Sequence, residues 1–113
     1  MSKQQSEQSD ERFLNFVEIE GEVVTPPSAE PRITKNSNAR VTNISLRTSS
    51  NNRRKNPVLH MVAWHDVAES VCAAGIEAGD YVVVRGELRT KSIVVGDKTE
   101  TVPVIYINEI DKF

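Results

Sequence analysis

Arginine and lysine residues are concentrated in one part of the chain that carries no carboxylate. Residues 31–60 contain no Asp or Glu, so all sixteen carboxylates of the protein lie outside this segment. A cation run of this kind suits a surface that tracks phosphate groups, although solvated loops and strand edges would also account for it. The seven cations are Arg32, Lys35, Arg40, Arg47, Arg53, Arg54 and Lys55.

A tryptophan follows this segment on a stretch with strand-like alternation. Residues 58–64 place Val58, His60, Val62 and Trp64 on one face, and Leu59, Met61 and Ala63 on the other. Two roles are open for Trp64. If this face of the strand is exposed, the ring is a platform for stacking against a base; if the face points into the protein, the ring closes one end of a barrel. His60 shares the face of Trp64 and therefore either contacts a base or phosphate or is an ordinary exposed strand histidine.

The remaining reactive residue types do not form a catalytic or metal-binding set. His60 and His65 lie on different predicted elements, and Cys72 is the only cysteine. Ser49 and Ser50 together with His60 suggest a nucleophile and a base, but strand ends rich in Ser, Thr and Asn produce this combination by chance. No Cys, His and carboxylate spacing matches a zinc site. We therefore predict no enzyme, no metal and no cofactor.

Five predicted strands and one helix must position these residues. The strands cover residues 13–25, 39–49, 58–64, 81–90 and 102–110, and residues 32–34 pair briefly after a proline-rich turn. Between the third and fourth strands the apolar spacing becomes helical. Asp66 suits the N-cap of this helix and Gly75 suits its C-terminal end. Gly21 and Gly86 suit bulges or bends.

Two further details concern the last two strands. Leu88 shares the predicted core face of the fourth strand with Val82 and Val84, and Pro103 suits the first residue of the fifth strand. A hairpin with its tip at residues 96–98 joins the two strands.

This order of elements predicts an all-β protein, namely a five-stranded Greek-key OB-fold barrel with one short helix between strands three and four. An SH3-like barrel is the main rival, but the helix argues against it. Residues 13–113 form one domain, and residues 1–12 are too polar to offset the entropy of ordering and are expected to be a disordered leader. The lone cysteine and the absence of a long apolar run favour a cytoplasmic protein.

Several segments occur in the order and spacing of one known family. Residues 15–23 (NFVEIEGEV), 41–49 (VTNISLRTS), 64–69 (WHDVAE) and 86–90 (GELRT) resemble strands one and two, the start of the helix and strand four of the bacterial single-stranded DNA-binding proteins. The resemblance covers about residues 13–111 and is to a short variant, because the chain lacks the long acidic tail of that family.

The resemblance implies sequence-tolerant binding of single-stranded DNA in replication, recombination or repair. It also implies a dimer or tetramer that forms through the first strand, over residues 16–23. The family stacks bases on aromatics at four positions, which correspond here to Asn52, Val58, Trp64 and Ile93, and only Trp64 is aromatic. Arg85, Arg89 and Lys91 complete the predicted interface, together with the seven cations, Val58, His60, Trp64 and Ile93.

Two alternatives remain open at this point. The chain also resembles primosomal replication protein N, a short OB-fold accessory of replication restart. An OB-fold protein-interaction module without any nucleic-acid role is the third reading. The acid-free basic segment favours the two nucleic-acid readings, because an interaction module has no need of it.

Overall fold

The computed structural model describes residues 14–48 and 56–113. Within these ranges the elements follow the predicted order, with the helix between the third and fourth long strands. In chain order they are β1 Val17–Thr25, β2 Arg32–Ile33, β3 Arg40–Arg47, β4 Val58–Trp64, α1 His65–Ala73, β5 Tyr81–Val95 and β6 Lys98–Lys112.

The strands close into a barrel because β1 pairs with two partners. Residues 17–22 of β1 pair with β5, and residues 22–25 pair with β3, both antiparallel. The ring continues from β5 to β6, then in parallel from β6 to β4, and from β4 back to β3. Gly21 lies where β1 changes partner, and a Cβ there would approach the carbonyl oxygen of Arg47 to 2.7 Å. The predicted OB-fold barrel is thus confirmed, whereas the irregularity of β1 lies between Val23 and Thr25 rather than at Gly21.

The inner core follows the two-residue period of the strands. Val82 and Val84 of β5 face Met61 and Ala63 of β4, and α1 contributes Ala68 and Val71. A helix of nine residues is too short to be stable alone, so its burial against the barrel supplies its stability. The buried members of the cluster are Val23, Ile44, Leu46, Met61, Ala63, Ala68, Val71, Ile76, Val82, Val84, Ile105 and Ile107.

The start of α1 differs from the prediction. Trp64 occupies the N-cap position without a side-chain cap hydrogen bond, and Asp66 lies in the first turn of the helix. The chain passes from β4 into α1 without a loop and turns at His65, which has a φ of 59°. The C-terminal prediction is confirmed, because Gly75 follows the C-cap with a φ of +70°. Within the described residues, no helix is long and apolar enough to span a membrane.

Strands β5 and β6 are longer than predicted and form an extended hairpin. Each has fifteen residues, and the two-residue turn Gly96–Asp97 joins them. Pro103 consequently lies inside β6 rather than at its start. Proline has no N–H to donate, and it is tolerated here because β6 pairs with β4 only from Ile105 onward. Among the described residues, the edge of β6 that faces away from β5 therefore has no partner strand at Pro103.

Leu88 is less buried than predicted. It is directly opposite the buried Ile105, so it lies on the inner face, but 49% of its surface is exposed. Leu88 is exposed because β1 pairs only with residues 81–86 of β5, so Leu88 lies beyond the part of the strand that β1 covers.

A bulge between β5 and β6 sets which side chains of β6 face the core. Arg85 pairs with Glu109 and the next residue, Gly86, pairs with Ile107, so Asn108 is the extra residue of β6. The predicted irregularity at Gly86 is confirmed. A Cβ on Gly86 would overlap the carbonyl oxygen of Tyr106, and it would also lie 3.2 Å from the Cα of Ile107. Only glycine permits this close approach of the two strands.

Gly86→Ala tests this close approach. We expect it to lower the free energy of unfolding by about 1–3 kcal/mol, because the backbone of β6 must move to admit the methyl group. Urea denaturation measures the effect, and Ser92→Ala, an exposed position farther along β5, should stay within about 0.5 kcal/mol of the wild type. An unchanged stability of Gly86→Ala would show that the strands separate there at no cost.

Candidate nucleic-acid interface

A second apolar cluster lies on the outer face of the barrel. Its buried members are Val41 of β3, Val62 of β4 and Val104 of β6, and Trp64 and Tyr106 pack against them. The cluster exists because β3, β4 and β6 are neighbours whose outward residues at these positions are apolar or aromatic. This stretch of sheet is therefore apolar on both sides, and the outer side is open to solvent at its margins.

Two aromatic rings lie side by side on this outer face. Trp64 is opposite Val41 at the end of β4, and Tyr106 is opposite Val62 in the parallel pair of β4 with β6. Their ring centroids are 6.3 Å apart with an angle of 44° between the ring planes. Both residues are half-buried, and Trp64 lies outside the inner core. Each ring thus has a supported side and an exposed part, the arrangement that base stacking requires.

Cations flank the two rings. A cleft of about 260 Å³ is lined by the two rings, by Arg32 of β2 on one side and by Lys91 of β5 on the other. Arg32 Nη2 donates a 3.5 Å hydrogen bond to Asn43 Oδ1, which holds the guanidinium over the sheet. No carboxylate is among the residues that line this cleft, which are Arg32, Thr34, Val41, Asn43, Val62, Trp64, Lys91, Val104 and Tyr106.

Two neighbouring clefts extend this surface along the sheet. One, of about 470 Å³, shares both rings and is completed by Ser37, Ala39 and His65. The other, of about 490 Å³, shares Val104, is almost entirely apolar and reaches from the outer to the inner face of the sheet. The inward residues Leu59, Leu88 and Ile105 line it beside Val58, His60, Pro103 and Val104. We call the three adjoining clefts the outer cleft face.

His60 lies on the outer cleft face at its apolar end. Its Nδ1 is 3.0 Å from Ser45 Oγ on the neighbouring strand, and the imidazole is exposed. Val58, two residues earlier on the same face, is 39% exposed and offers an aliphatic surface. These two positions are therefore available for contact with a bound molecule.

Arg89 adjoins the outer cleft face through Tyr106 and is held by an acidic neighbour. Its guanidinium lies over the ring of Tyr106, 4.9 Å from the centroid. Arg89 Nε also donates a 2.6 Å hydrogen bond to Glu87 Oε1. Lys91 and Ile93 follow on the same strand at two-residue spacing, with Ile93 half-buried in the hairpin.

The structure separates three of the predicted cations from the clefts. Arg85 lines none of the three clefts, and beside β1 it contacts Glu18, Glu109 and Asp111 at 2.7, 3.5 and 3.2 Å. The hydrogen bond to Glu18 is the main cause that raises the pKa of Arg85 above its ordinary value. Because these carboxylates neutralise Arg85, the structure does not bring it together with the residues of the outer cleft face.

Arg40 and Arg47 are also paired with acids. Arg40 bridges the start of β3 to α1 through Asp66 and Glu69, and its hydrogen bond to Glu69 is the main cause of its raised pKa. Arg47 Nη1 lies 3.7 Å from Glu22. Lys35 is exposed in the turn after β2. Four predicted positions, Asn52, Arg53, Arg54 and Lys55, lie outside the described residues.

Tyr106 is the main residue of this surface that the sequence analysis missed. Counting back from Ile110, which packs against the inner core, strict alternation places Tyr106 inside. The bulge at Asn108 reverses this order and turns Tyr106 outward. The alternation of Val102, Val104 and Tyr106 was the only available signal, and it could not show which face was the outer one.

The described residues contain no group of three His, Cys, Asp or Glu side chains that could hold a metal ion. Cys72 is half-buried on α1, and its thiol is 4.0 Å from Ser28 Oγ. The outer cleft face offers aromatic rings for stacking, apolar side chains for contact and cations for charge interactions.

Comparison with known proteins establishes the fold. No protein-family model matches the chain, and no curated protein sequence is significantly similar to it. Among solved structures, it is similar to the crystal structure of the SSB domain of a protein from Synechococcus sp., with a TM-score of 0.67 and 19% sequence identity, over 89% of this chain and 98% of that one. An identity this low supports a conclusion about architecture alone. The chain therefore has the OB fold, in the form seen in an SSB domain.

Proposed function

We propose that this protein binds single-stranded DNA, with little preference for sequence, through the outer cleft face. One observation carries the proposal: Trp64 and Tyr106 line a cleft between Arg32 and Lys91 in which no carboxylate takes part. The rings suit the bases of a single strand, and the cations suit its phosphates. Every base presents a π-face, so this kind of contact is tolerant of sequence.

The charge distribution supports one binding side. The outward face of β1, β5 and the end of β6 carries five carboxylates around Arg85, and Arg47 of the adjoining β3 lies 3.7 Å from one of them. The five are Glu18, Glu20, Glu22, Glu109 and Asp111. A phosphate backbone is repelled from such a face and attracted to the opposite one. This distribution also explains how a chain with a net charge of −2 can bind a polyanion.

The comparison with an SSB domain supports the same class of function. A role in replication, recombination or repair, and a location in the cytoplasm with the nucleoid, form part of the proposal. An accessory role in replication restart requires the same contacts with DNA. The third reading, a protein-interaction module, does not account for two rings placed between two cations on an acid-free surface.

The two rings provide the first test. We expect Trp64 emission to be quenched by a single-stranded oligonucleotide, and Trp64→Ala and Tyr106→Ala each to weaken binding by about 1–3 kcal/mol. Neither change should alter the salt dependence of binding, because no phosphate contact is lost. Both variants must retain a cooperative thermal transition. Titration of the wild type with DNA, RNA and duplex establishes the preferred partner, and failure to bind any single strand would overturn the proposal.

The flanking cations provide the second test. On single strands, the slope of log K against log salt changes by about 0.7 for each phosphate contact. The double variant Arg32→Ala/Lys91→Ala should therefore bind more weakly for all sequences, with a slope reduced by about 1.4. Arg85→Gln is the matched comparison, and its slope should equal that of the wild type. If Arg85→Gln reduced the slope and the double variant left it unchanged, the DNA would bind on the side of β1 and β5 instead.

We further propose that the protein self-associates through β1. Residues 17–21 pair with β5 on one edge, and the other edge has no partner strand among the described residues. An open edge of this kind can pair with a second copy. A two-fold axis normal to the sheet would place even-numbered residues opposite even-numbered ones, so Glu18, Glu20 and Glu22 of two copies would face each other.

The opposed carboxylates predict how salt affects assembly. Like charges that face each other across two strands are destabilising, and salt screens them. We therefore expect sedimentation to show a dimer or tetramer that becomes more stable as salt rises, in contrast to DNA binding. Glu20→Gln should strengthen the association. A monomer at every salt concentration, at tens of micromolar protein, would contradict this proposal.

A further inference from the structure

An acidic side chain that the proposed function does not use adjoins the outer cleft face beside Tyr106. Glu87 lies directly opposite Tyr106 in the pairing of β5 with β6, and Arg89 lies two residues farther along the same strand. Both Nε and Nη2 of Arg89 contact the same oxygen, Glu87 Oε1, at 2.6 and 2.5 Å. The guanidinium is at the same time 4.9 Å from the centroid of the Tyr106 ring.

This arrangement occupies two of the features that a single strand would use. The positive charge of Arg89 is neutralised by the carboxylate of Glu87, and the guanidinium covers part of the Tyr106 ring. Trp64 does not share this cover, because its described ring neighbours are His65 and Tyr106. In the free protein the Arg89 guanidinium thus covers part of the Tyr106 ring, and among the described residues no cation lies over the half-buried ring of Trp64.

We propose that Glu87 is an internal competitor of the phosphate backbone, which holds Arg89 over Tyr106 until a phosphate group of the bound strand replaces the carboxylate. The inference rests on the proposed function, since it concerns the same surface. Movement of Arg89 to a phosphate would uncover the Tyr106 ring in the same step. Phosphate contact and base stacking at this platform would then be coupled, whereas stacking on Trp64 would not depend on the exchange.

The exposure of the pair makes such an exchange feasible. The Arg89 side chain is 54% exposed and that of Glu87 is 30% exposed, so the ion pair is open to solvent and is a weak one. A phosphate oxygen accepts the same charge-assisted hydrogen bonds that the carboxylate oxygen accepts. Arginine also has a long side chain that can turn from one acceptor to the other without movement of β5.

Glu87→Gln tests the inference, with the full chain and a fluorescein-labelled oligothymidylate followed by anisotropy. The amide keeps the shape of the side chain and removes the charge. We expect binding to become about two- to fivefold tighter, the range that corresponds to an exposed ion pair. The salt slope should stay close to that of the wild type, because Arg89 contacts one phosphate in both complexes and the substitution removes only its competitor in the free protein.

A double-mutant cycle assigns the effect to Arg89. In the Arg89→Gln background, Glu87→Gln should no longer tighten binding, because there is no guanidinium to release. Glu100→Gln is the matched control, because Glu100 lies opposite Ile93 on the same hairpin and forms no ion pair within the described residues. It removes the same charge and should tighten binding less.

The outcomes separate the inference from the proposed function. If the wild type binds the oligonucleotide but Glu87→Gln binds equally or more weakly, the competitor role is overturned and Glu87 instead orients Arg89 for binding. If Glu87→Gln and Glu100→Gln tighten binding equally, the effect is one of net charge and the inference also fails. If no single strand binds to the wild type, the proposed function itself fails. A thermal melt of each variant establishes that it is folded.

Discussion

The close contact of Gly86 with the backbone of Tyr106 is the constraint on which the outer face of this protein depends. It accompanies the bulge at Asn108, where β6 carries one more residue than β5. On one side of the bulge Ile110 faces the core, and on the other side Ile105 and Ile107 do. The side chains of β6 therefore change phase within the strand, and Tyr106 becomes an outward residue beside Trp64.

The same bulge separates two surfaces of opposite character. Beyond it, Glu109 and Asp111 face outward next to Arg85 and join the carboxylates of β1. Before it, Val104 and Tyr106 face outward between β4 and β5 and join the cleft of Arg32 and Lys91. Charge segregation along the sequence thus becomes segregation between two faces of one barrel. Such a division favours a single docking side for a polyanion.

The distribution of ion pairs refines the reading of the basic segment. Arg40 ties β3 to α1, and Arg47 lies near Glu22 of β1, so both contribute to holding elements together. Exposed pairs of this kind contribute little to stability individually, but they reduce the charge available to a ligand. A binder with two rings and few free cations gains affinity from several modest contacts rather than from one dominant residue. In the proposed exchange, the ion pair of Glu87 with Arg89 would set the balance between the free protein and its complex with DNA.

The sequence by itself determined the elements and the class of fold. Period-two alternation in β4, helical spacing after Trp64, and the glycine at the bulge of β5 against β6 are local signals, so the OB barrel could be predicted. The sequence left open whether Trp64 lies on the outer face or inside the barrel. The partner of Asp66, the exposure of Leu88 and the orientation of Tyr106 could not be predicted in this way. Each depends on contacts between residues distant in the chain: Arg40 with α1, the end of the barrel beside β5, and the register of β5 against β6. Tertiary structure decided these features because a single extra residue in a strand inverts every side chain beyond it, and only the pairing with another strand shows where that residue lies.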